Sequence, residues 1–438
     1  MKKILSMLMV MCLVFSIASP VIFAQSIGIN DVEEKGIYIE EISTNTLIYQ
    51  NNSNEKYYPA SITKLLTALT AVDYVDLDEI ITVGSEIYAI SQNSSRANIK
   101  PGEKLTFSEL LYAMLLPSGN DAANVVAAYT AKKLDATLKT IDEQIAYFAS
   151  LMNKKAKELG TLNSNFVNPS GLHDNNHYTT AYDMCMIAKD FLKNDILSEI
   201  ASTTEYSTNN KKHTWFNGNL LLQKTLDNIA WTDRDGDNKY YCQYAKGLKT
   251  GYTIKAGRTI VAYFEKDGMQ IIVVILKSNE DDLFSDAIEA FNYVTENYHL
   301  LSFGAAGQLV DQIEIINNKK DSSKELSITC EKNINLLAAK QYDGFIYKNI
   351  FDADLISFKF GKYFIKADIL QGSVIGQAIV EDEDGSQVVS VNLIADNSVL
   401  RDEFYFEKYI SIGILLILCL SILFIKKKKR GKNERKII

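Results

Sequence analysis

A serine hydroxyl is a weak nucleophile at neutral pH and becomes effective only with a base in hydrogen-bond reach and donors for the developing oxyanion. Ser61-Ile62-Thr63-Lys64 supplies the first pair. Residues three apart on a helix share a face, so the Lys64 amine can lie against the Ser61 hydroxyl. For Lys64 to accept a proton its pKa must fall, which burial or a second cation achieves, and Lys249 is the candidate neighbour. The spacing alone is a weak signal, because Ser53-Asn54-Glu55-Lys56 repeats it in an Asn-rich turn with no apolar periodicity after it.

Two further triplets complete the chemistry. Ser-x-Asn occurs at Ser43, Ser91, Ser118, Ser207 and Ser390, but only Ser118-Gly119-Asn120 follows a proline between two amphipathic stretches, where a short loop can present both side chains. Lys249-Thr250-Gly251 occurs once, on an expected strand. There Lys249 and Thr250 can meet a carboxylate, and Gly251 permits close approach to a ligand.

The elements that must position these groups follow from periodicity. Gly36 to Ile42 and Leu47 to Gln50 read as a hairpin around Ser43-Thr44-Asn45-Thr46. Apolar residues at 62, 65, 66, 69 and 72 predict a helix over Ser61 to Val75, with Ser61 at its start. Further helices are expected at Phe107 to Leu116, Ala122 to Lys133, Ile141 to Leu159 and Thr180 to Leu192. Lys246 to Tyr252, Arg258 to Phe264 and Gln270 to Lys277 then read as strands, and Phe284 to Tyr298 as a closing helix. Strands at both ends with helices between imply one α/β domain ending near Ser302. Gly304 to about Asp402, rich in β-branched residues with turns at Asn317-Asn318 and Asp382 to Gly385, reads as a smaller all-β domain.

The three motifs in this order resemble those of penicillin-binding proteins and class A β-lactamases. Over roughly Gly36 to Tyr298 the chain resembles the low-molecular-mass serine-type D-alanyl-D-alanine carboxypeptidases. Beyond the triplets, the resemblance is carried by Lys100-Pro101-Gly102-Glu103, Ser118 to Ala123, Phe166 to Leu172, His177 to Asp183 and Gly247 to Thr253. It implies a β-lactamase/transpeptidase-like antiparallel sheet flanked by a helical cluster, acting on peptidoglycan stem peptides and inhibited by β-lactams. In the implied route Ser61 attacks the D-Ala-D-Ala carbonyl, D-alanine leaves, and water hydrolyses the acyl-enzyme. Lys64 is the implied general base and Ser118 the proton relay. Asn120 holds the substrate amide, Lys249 tunes Ser118, Thr250 binds the terminal carboxylate, and the N–H groups of Ser61 and Tyr252 form the oxyanion hole. No metal or organic cofactor is implied. The segment from Asp227 to Ala245 is longer and more polar than the usual lead-in to the lysine-threonine-glycine strand.

The same residues would serve a DD-endopeptidase or transpeptidase, and a non-catalytic penicillin-binding sensor or scaffold would keep the fold without turnover. A class A β-lactamase needs a deacylating glutamate in E-x-x-L-N, and Glu158 to Asn163 has the wrong spacing. His173 and His177 flank a loop and have no third ligand to join them, and Asp233, Asp235 and Asp237 are wrongly spaced around Gly236 for an EF-hand, so a solvated turn is expected. Trp215 and Trp231 are read as core or rim packing.

Met1-Lys2-Lys3, the apolar run Ile4 to Phe23 and Ala24 have the three regions of a secretory signal, residues 1–24. Tyr409 to Ile425 is uncharged and ends in Lys426-Lys427-Lys428-Lys429-Arg430, which predicts a juxtamembrane and membrane-spanning segment over 403–425 and a basic cytoplasmic tail over 426–438. The expected location is therefore the bacterial cell membrane, single-pass, with the catalytic domain outside. A net charge of −8 hides the basic ends, so the intervening ectodomain is more acidic than the total. That surface argues against nucleic acid as a partner. Cys185, Cys242 and Cys330 are odd in number for the ectodomain and lack CxxC spacing.

Overall fold

The computed structural model describes residues 27–91, 94–227, 236–342, 344–359, 361–405, 410–412 and 414–417. They fall into two compact units, Met1–His299 and Leu300–Ile438. The expected signal segment, Trp231, Asp233, Asp235 and the basic tail lie outside the described residues. Of the expected spanning segment only fragments are described, and among the described residues no helix is long and apolar enough to cross a membrane.

The first unit is built on a five-stranded antiparallel sheet. In chain order its parts are β1 (Gly36–Glu41), β2 (Thr46–Asn51), α1 (Thr63–Ala71), β3 (Ile80–Thr82), β4 (Lys104–Thr106), α2 (Phe107–Leu115), α3 (Asn120–Leu134), α4 (Ile141–Glu158), α5 (Ala181–Phe191), α6 (Asp195–Ser202), β5 (Glu205–Ser207), β6 (Thr214–Phe216), β7 (Ala245–Thr253), β8 (Gly257–Lys266), β9 (Met269–Ser278) and α7 (Leu283–Asn297). The sheet order is β2-β1-β9-β8-β7, so the N-terminal hairpin joins strands more than 200 residues away. The central strand β9 buries Ile271 to Leu276 without a break, because α5 and α7 both pack against it. A strand covered on both faces carries an apolar run rather than an alternation.

The helix carrying Lys64 is the most enclosed. All nine residues of α1 are buried, and its Leu, Ala and Thr side chains give it no solvated face. It is shorter than the periodicity predicts. Ser61 lies in a preceding 3₁₀ turn over Ala60–Ile62, and the helix ends at Ala71, where the N–H groups of Tyr74 and Val75 both turn back to the Ala71 carbonyl. Helices α2 and α4 begin with capping boxes, Thr106 with Glu109 and Thr140 with Glu143, each satisfying two otherwise orphaned donors. Helix α6, which periodicity alone did not mark, is one short amphipathic piece capped by Asn194.

The second unit contains β10 (Tyr298–Gly304), β11 (Leu309–Glu314), β12 (Glu325–Cys330), β13 (Ile334–Ala339), β14 (Ile346–Phe351), β15 (Ile356–Lys359), β16 (Lys362–Ile365), β17 (Val374–Glu381) and β18 (Gln387–Ala395). Five of these form an antiparallel sheet ordered β11-β12-β18-β17-β14 over a core that includes Ile313, Leu326, Ile328, Ile375, Val380 and Leu393.

Candidate active site

The 3₁₀ turn brings Ser61 to the floor of a cleft of about 1140 Å³, also lined by Ser118, Asn120, Lys249, Thr250, Gly251 and Tyr252. Every residue expected to act lines this cleft except Lys64, which is buried behind Ser61 in contact with its hydroxyl. Two glycines make the assembly possible. Gly171 has a φ of +80°, and a Cβ there would sit 1.8 Å from the Ala60 carbonyl oxygen, so only glycine lets its loop press against the turn that holds Ser61. A Cβ on Gly251 would meet the Ser61 nitrogen at 2.8 Å and Thr259 Oγ1 at 2.5 Å. The close approach expected at Gly251 is therefore first an approach of β7 to the nucleophile's own backbone. The Thr259 hydroxyl donates to the Pro59 carbonyl at 2.8 Å and fixes that contact.

Lys64 Nζ lies 2.9 Å from Ser61 Oγ, 2.7 Å from Asn120 Oδ1 and 2.8 Å from the Ser170 carbonyl oxygen. None of these acceptors carries a charge. Burial holds the Lys64 pKa well below the usual lysine range, the Lys249 ammonium lowers it further, and Asp121 opposes the shift. A neutral amine fits the three neighbours as well as an ammonium does: two N–H groups donate to Asn120 and Ser170, and the lone pair faces the Ser61 hydroxyl. Lys249 is also buried, and its desolvation lowers its pKa to about 7. Its Nζ donates to the Thr250 carbonyl at 3.1 Å.

Ser118 sits between α2 and α3 with a φ of +62°, an uncommon conformation for a residue with a Cβ. Among the described residues, its hydroxyl is buried without a hydrogen-bond partner. An orphaned hydroxyl on a strained turn is a feature of sites that await a ligand. Asn120 opens α3, and its N–H donates to the Ser95 carbonyl at 2.9 Å. Tyr252 is exposed at the rim, with the Arg258 guanidinium 4.5 Å from its ring centroid.

The second serine-x-x-lysine does not enter the site. Ser53 Oγ donates to Gln50 Oε1, and Lys56 stands over the Tyr178 ring at 4.3 Å. The two histidines also separate. His177 is buried, with Nε2 at Thr63 Oγ1 (2.9 Å) and Nδ1 accepting from the Val167 N–H, while His173 packs edge-on against Tyr58. Trp215 is buried at the cleft wall, as expected of a packing residue, and its Nε1 donates to the Ala97 carbonyl.

Residue-type reasoning missed Ser170 and Asp121. Ser170 acts through its carbonyl, which any residue possesses, though the turn chemistry of Asn168-Pro169-Ser170-Gly171 marks the place. There Asn168 Oδ1 accepts from the N–H groups of Ser170 and Gly171. The Asp121 carboxylate accepts from the N–H groups of Ala97, Asn98 and Ala122, tying the cleft wall to the start of α3.

Residues 24–280 match the family described as D-alanyl-D-alanine carboxypeptidase, peptidase family S11. The chain belongs to this family. It is 30% identical over 354 residues to the D-alanyl-D-alanine carboxypeptidase DacF of Bacillus subtilis, covering 78% of this chain and 83% of that one. Penicillin binding protein 5 of Haemophilus influenzae shares the fold over 84% of this chain and 97% of its own, with a TM-score of 0.63 at 20% identity. The DD-transpeptidase of Streptomyces K15 superposes on 59% of this S11 peptidase and 95% of its own chain, with a TM-score of 0.51 at 27% identity.

Proposed function

We propose that the protein is a serine-type D-alanyl-D-alanine carboxypeptidase that removes the terminal D-Ala from peptidoglycan pentapeptide stems and is acylated by β-lactams. The observation that carries the reading is the buried Lys64 amine, in hydrogen-bond contact with Ser61 Oγ and surrounded by uncharged acceptors. In this reading Lys64 takes the Ser61 proton as Oγ attacks the penultimate D-Ala carbonyl. Backbone N–H groups of Ser61 and Tyr252 receive the oxyanion; a single such donor is worth ~10²–10³ in rate. Ser118 relays the proton taken up by Lys64 to the departing D-alanine amine, which returns Lys64 to its neutral form; Asn120 holds the acyl-side amide, and Thr250 with Lys249 receives the substrate carboxylate. Water then cleaves the ester, Lys64 again serving as base. The same acyl-enzyme transferred to an amine gives transpeptidation, and the resemblance to the Streptomyces K15 enzyme keeps that second outcome in view.

The apolar run Tyr409 to Ile425 and the basic cluster after it support a single-pass anchor with the peptidase unit outside the membrane, and the N-terminal apolar run supports export.

Mass spectrometry of a pentapeptide incubated with the full-length protein tests the function. Loss of one D-Ala, blocked by penicillin and by Ser61→Ala, is the expected result. Cleavage of a cross-linked dimer with no action on pentapeptide would replace the carboxypeptidase by an endopeptidase, and a penicillin label that persists in Ser61→Ala would remove Ser61 from the mechanism.

A further inference from the structure

The cleft is cationic although the protein is acidic. Arg96, Lys212, Lys249, Lys255 and Arg258 line it, and among the described residues that line it there is no Asp or Glu. The nearby carboxylates are already engaged: Glu280 pairs with Arg258 at 2.6 Å, and Glu103 Oε2 lies 2.8 Å from His213 Nε2. Among the described residues, Arg96 and Lys212 form no ion pair; the Arg96 guanidinium makes only a long contact of 3.4 Å to the Ser91 carbonyl.

These two cations stand on braced walls. Arg96 lies between Ser95, whose carbonyl accepts from the Asn120 N–H, and Ala97, whose N–H is held by Asp121 and whose carbonyl accepts from Trp215 Nε1 at 2.9 Å. The last bond stitches the Arg96 segment to the strand beside Lys212. That strand is backed by a ladder of rings: His213 stacks on Trp215 at 5.2 Å, Trp215 on Tyr206 at 6.4 Å, and Tyr206 on Tyr112 at 3.7 Å. The backbones of both residues are therefore fixed relative to Asn120, on the acyl side of the site. In the carboxypeptidase reading, Lys249 and Thr250, which line the same cleft, receive the terminal carboxylate. A substrate with one carboxylate uses only the second group.

Resting on the carboxypeptidase reading above, we propose that Arg96 and Lys212 form a subsite for a second carboxylate, carried by the acyl donor upstream of the scissile amide. The protein then selects stem peptides that are anionic before D-Ala-D-Ala over the same peptides in amidated form. The carboxylate has two chemical sources, the α-carboxylate of a γ-linked glutamyl residue and a carboxylate on the side chain of the residue preceding D-Ala-D-Ala.

Two matched peptide pairs, free and amidated at each position in turn, distinguish them. D-Ala release by the full-length protein gives kcat and KM, and competition of each peptide against labelling by a fluorescent penicillin gives binding without turnover. One pair is expected to differ by about 5–30-fold in kcat/KM, mainly through KM, with the difference shrinking in 0.5 M salt as exposed charge pairs do. Arg96→Gln and Lys212→Gln each reduce the preference, the double variant brings it within about twofold, and Lys212→Arg retains it. Equal handling of both pairs, or a preference that survives the double variant, overturns the subsite. If no peptide loses D-Ala, the carboxypeptidase reading fails by itself. The penicillin competition then still decides the subsite, with unequal protection within a pair supporting it and equal protection overturning it.

Discussion

The two units bury different things. The peptidase unit encloses Lys35, Glu40, Glu41, Lys64, Asp121, Asp183, Lys249 and Asp286, whereas the buried polar side chains of the C-terminal unit, among the described residues, are Asn317 and Thr329. Asn317 is fully accounted for by exchanging two hydrogen bonds with the Ile365 backbone. An interior of Ile, Leu and Val stabilises a fold without poising any group for chemistry; buried charge costs stability and is where chemistry becomes possible.

The peptidase unit repeats the contrast within itself. Lys35 is paired with Asp286 at 2.7 Å and joins the N-terminal segment to α7. Lys64, among the described residues, forms no ion pair and bonds only to uncharged acceptors. One amine is held by a carboxylate; the other is held by uncharged acceptors with its pKa lowered by burial, and only the second is placed to act as a base.

That difference can be tested by substitution. Lys64→Met is expected to lower acylation by about 10²–10⁴-fold, the range of a lost general base, read as the rate of penicillin labelling. Its stability should fall less than that of Lys35→Met, because Asp121 keeps its three backbone donors and only the uncharged Asn120 and Ser170 acceptors lose one. The sign follows from linkage: below the ordinary lysine range the unfolded chain binds a proton that the buried amine refuses. The penalty of wild-type Lys64 is thus largest at low pH and fades as pH rises through that range. Lys35→Met strands the Asp286 carboxylate and is expected to cost about 3–5 kcal/mol in denaturant unfolding. Equal stability effects at the two lysines would erase the distinction.

Leu393→Ala in the C-terminal core should cost about 2–5 kcal/mol for its own unit while penicillin labelling of Ser61 persists; loss of labelling would show that the β unit takes part in the site. A smaller effect is expected from Lys249. With its pKa lowered to about 7 in the free protein, kcat/KM should decline above that pH as the ammonium is lost. The limb should move upward in kcat, because a bound carboxylate favours the charged form. In Lys249→Gln that limb disappears from the profile. Least of all, Lys56→Ala at the exposed end of the second motif should change stability by under about 0.5 kcal/mol and leave labelling intact.

The five strands of the main sheet, the capped helices and the three motifs were legible because each depends on local spacing. The hairpin appeared at β1 and β2, and Thr106 and Thr140 cap α2 and α4 through residues three positions on. Less was legible where short elements or backbone groups act. Helix α6 presents only Leu197, Ile200 and Ala201 to the core, too brief a period to stand out, and Ser170 contributes a carbonyl that no side-chain pattern reveals.

Ser61, Ser118 and Lys249 were identifiable from residue type, order and the junctions on which they lie, since helix starts and strand edges are written in a few adjacent residues. Their convergence was not, because residues 61, 118 and 249 meet only in a fold whose sheet pairs residues 36–51 with residues 245–278. Nor could sequence choose between Ser61 and Ser53 on spacing. The choice came from desolvation: α1 buries Lys64 against uncharged acceptors, while Lys56 remains against the Tyr178 ring. Spacing sets which side chains can meet, and only packing sets how much water they lose when they do.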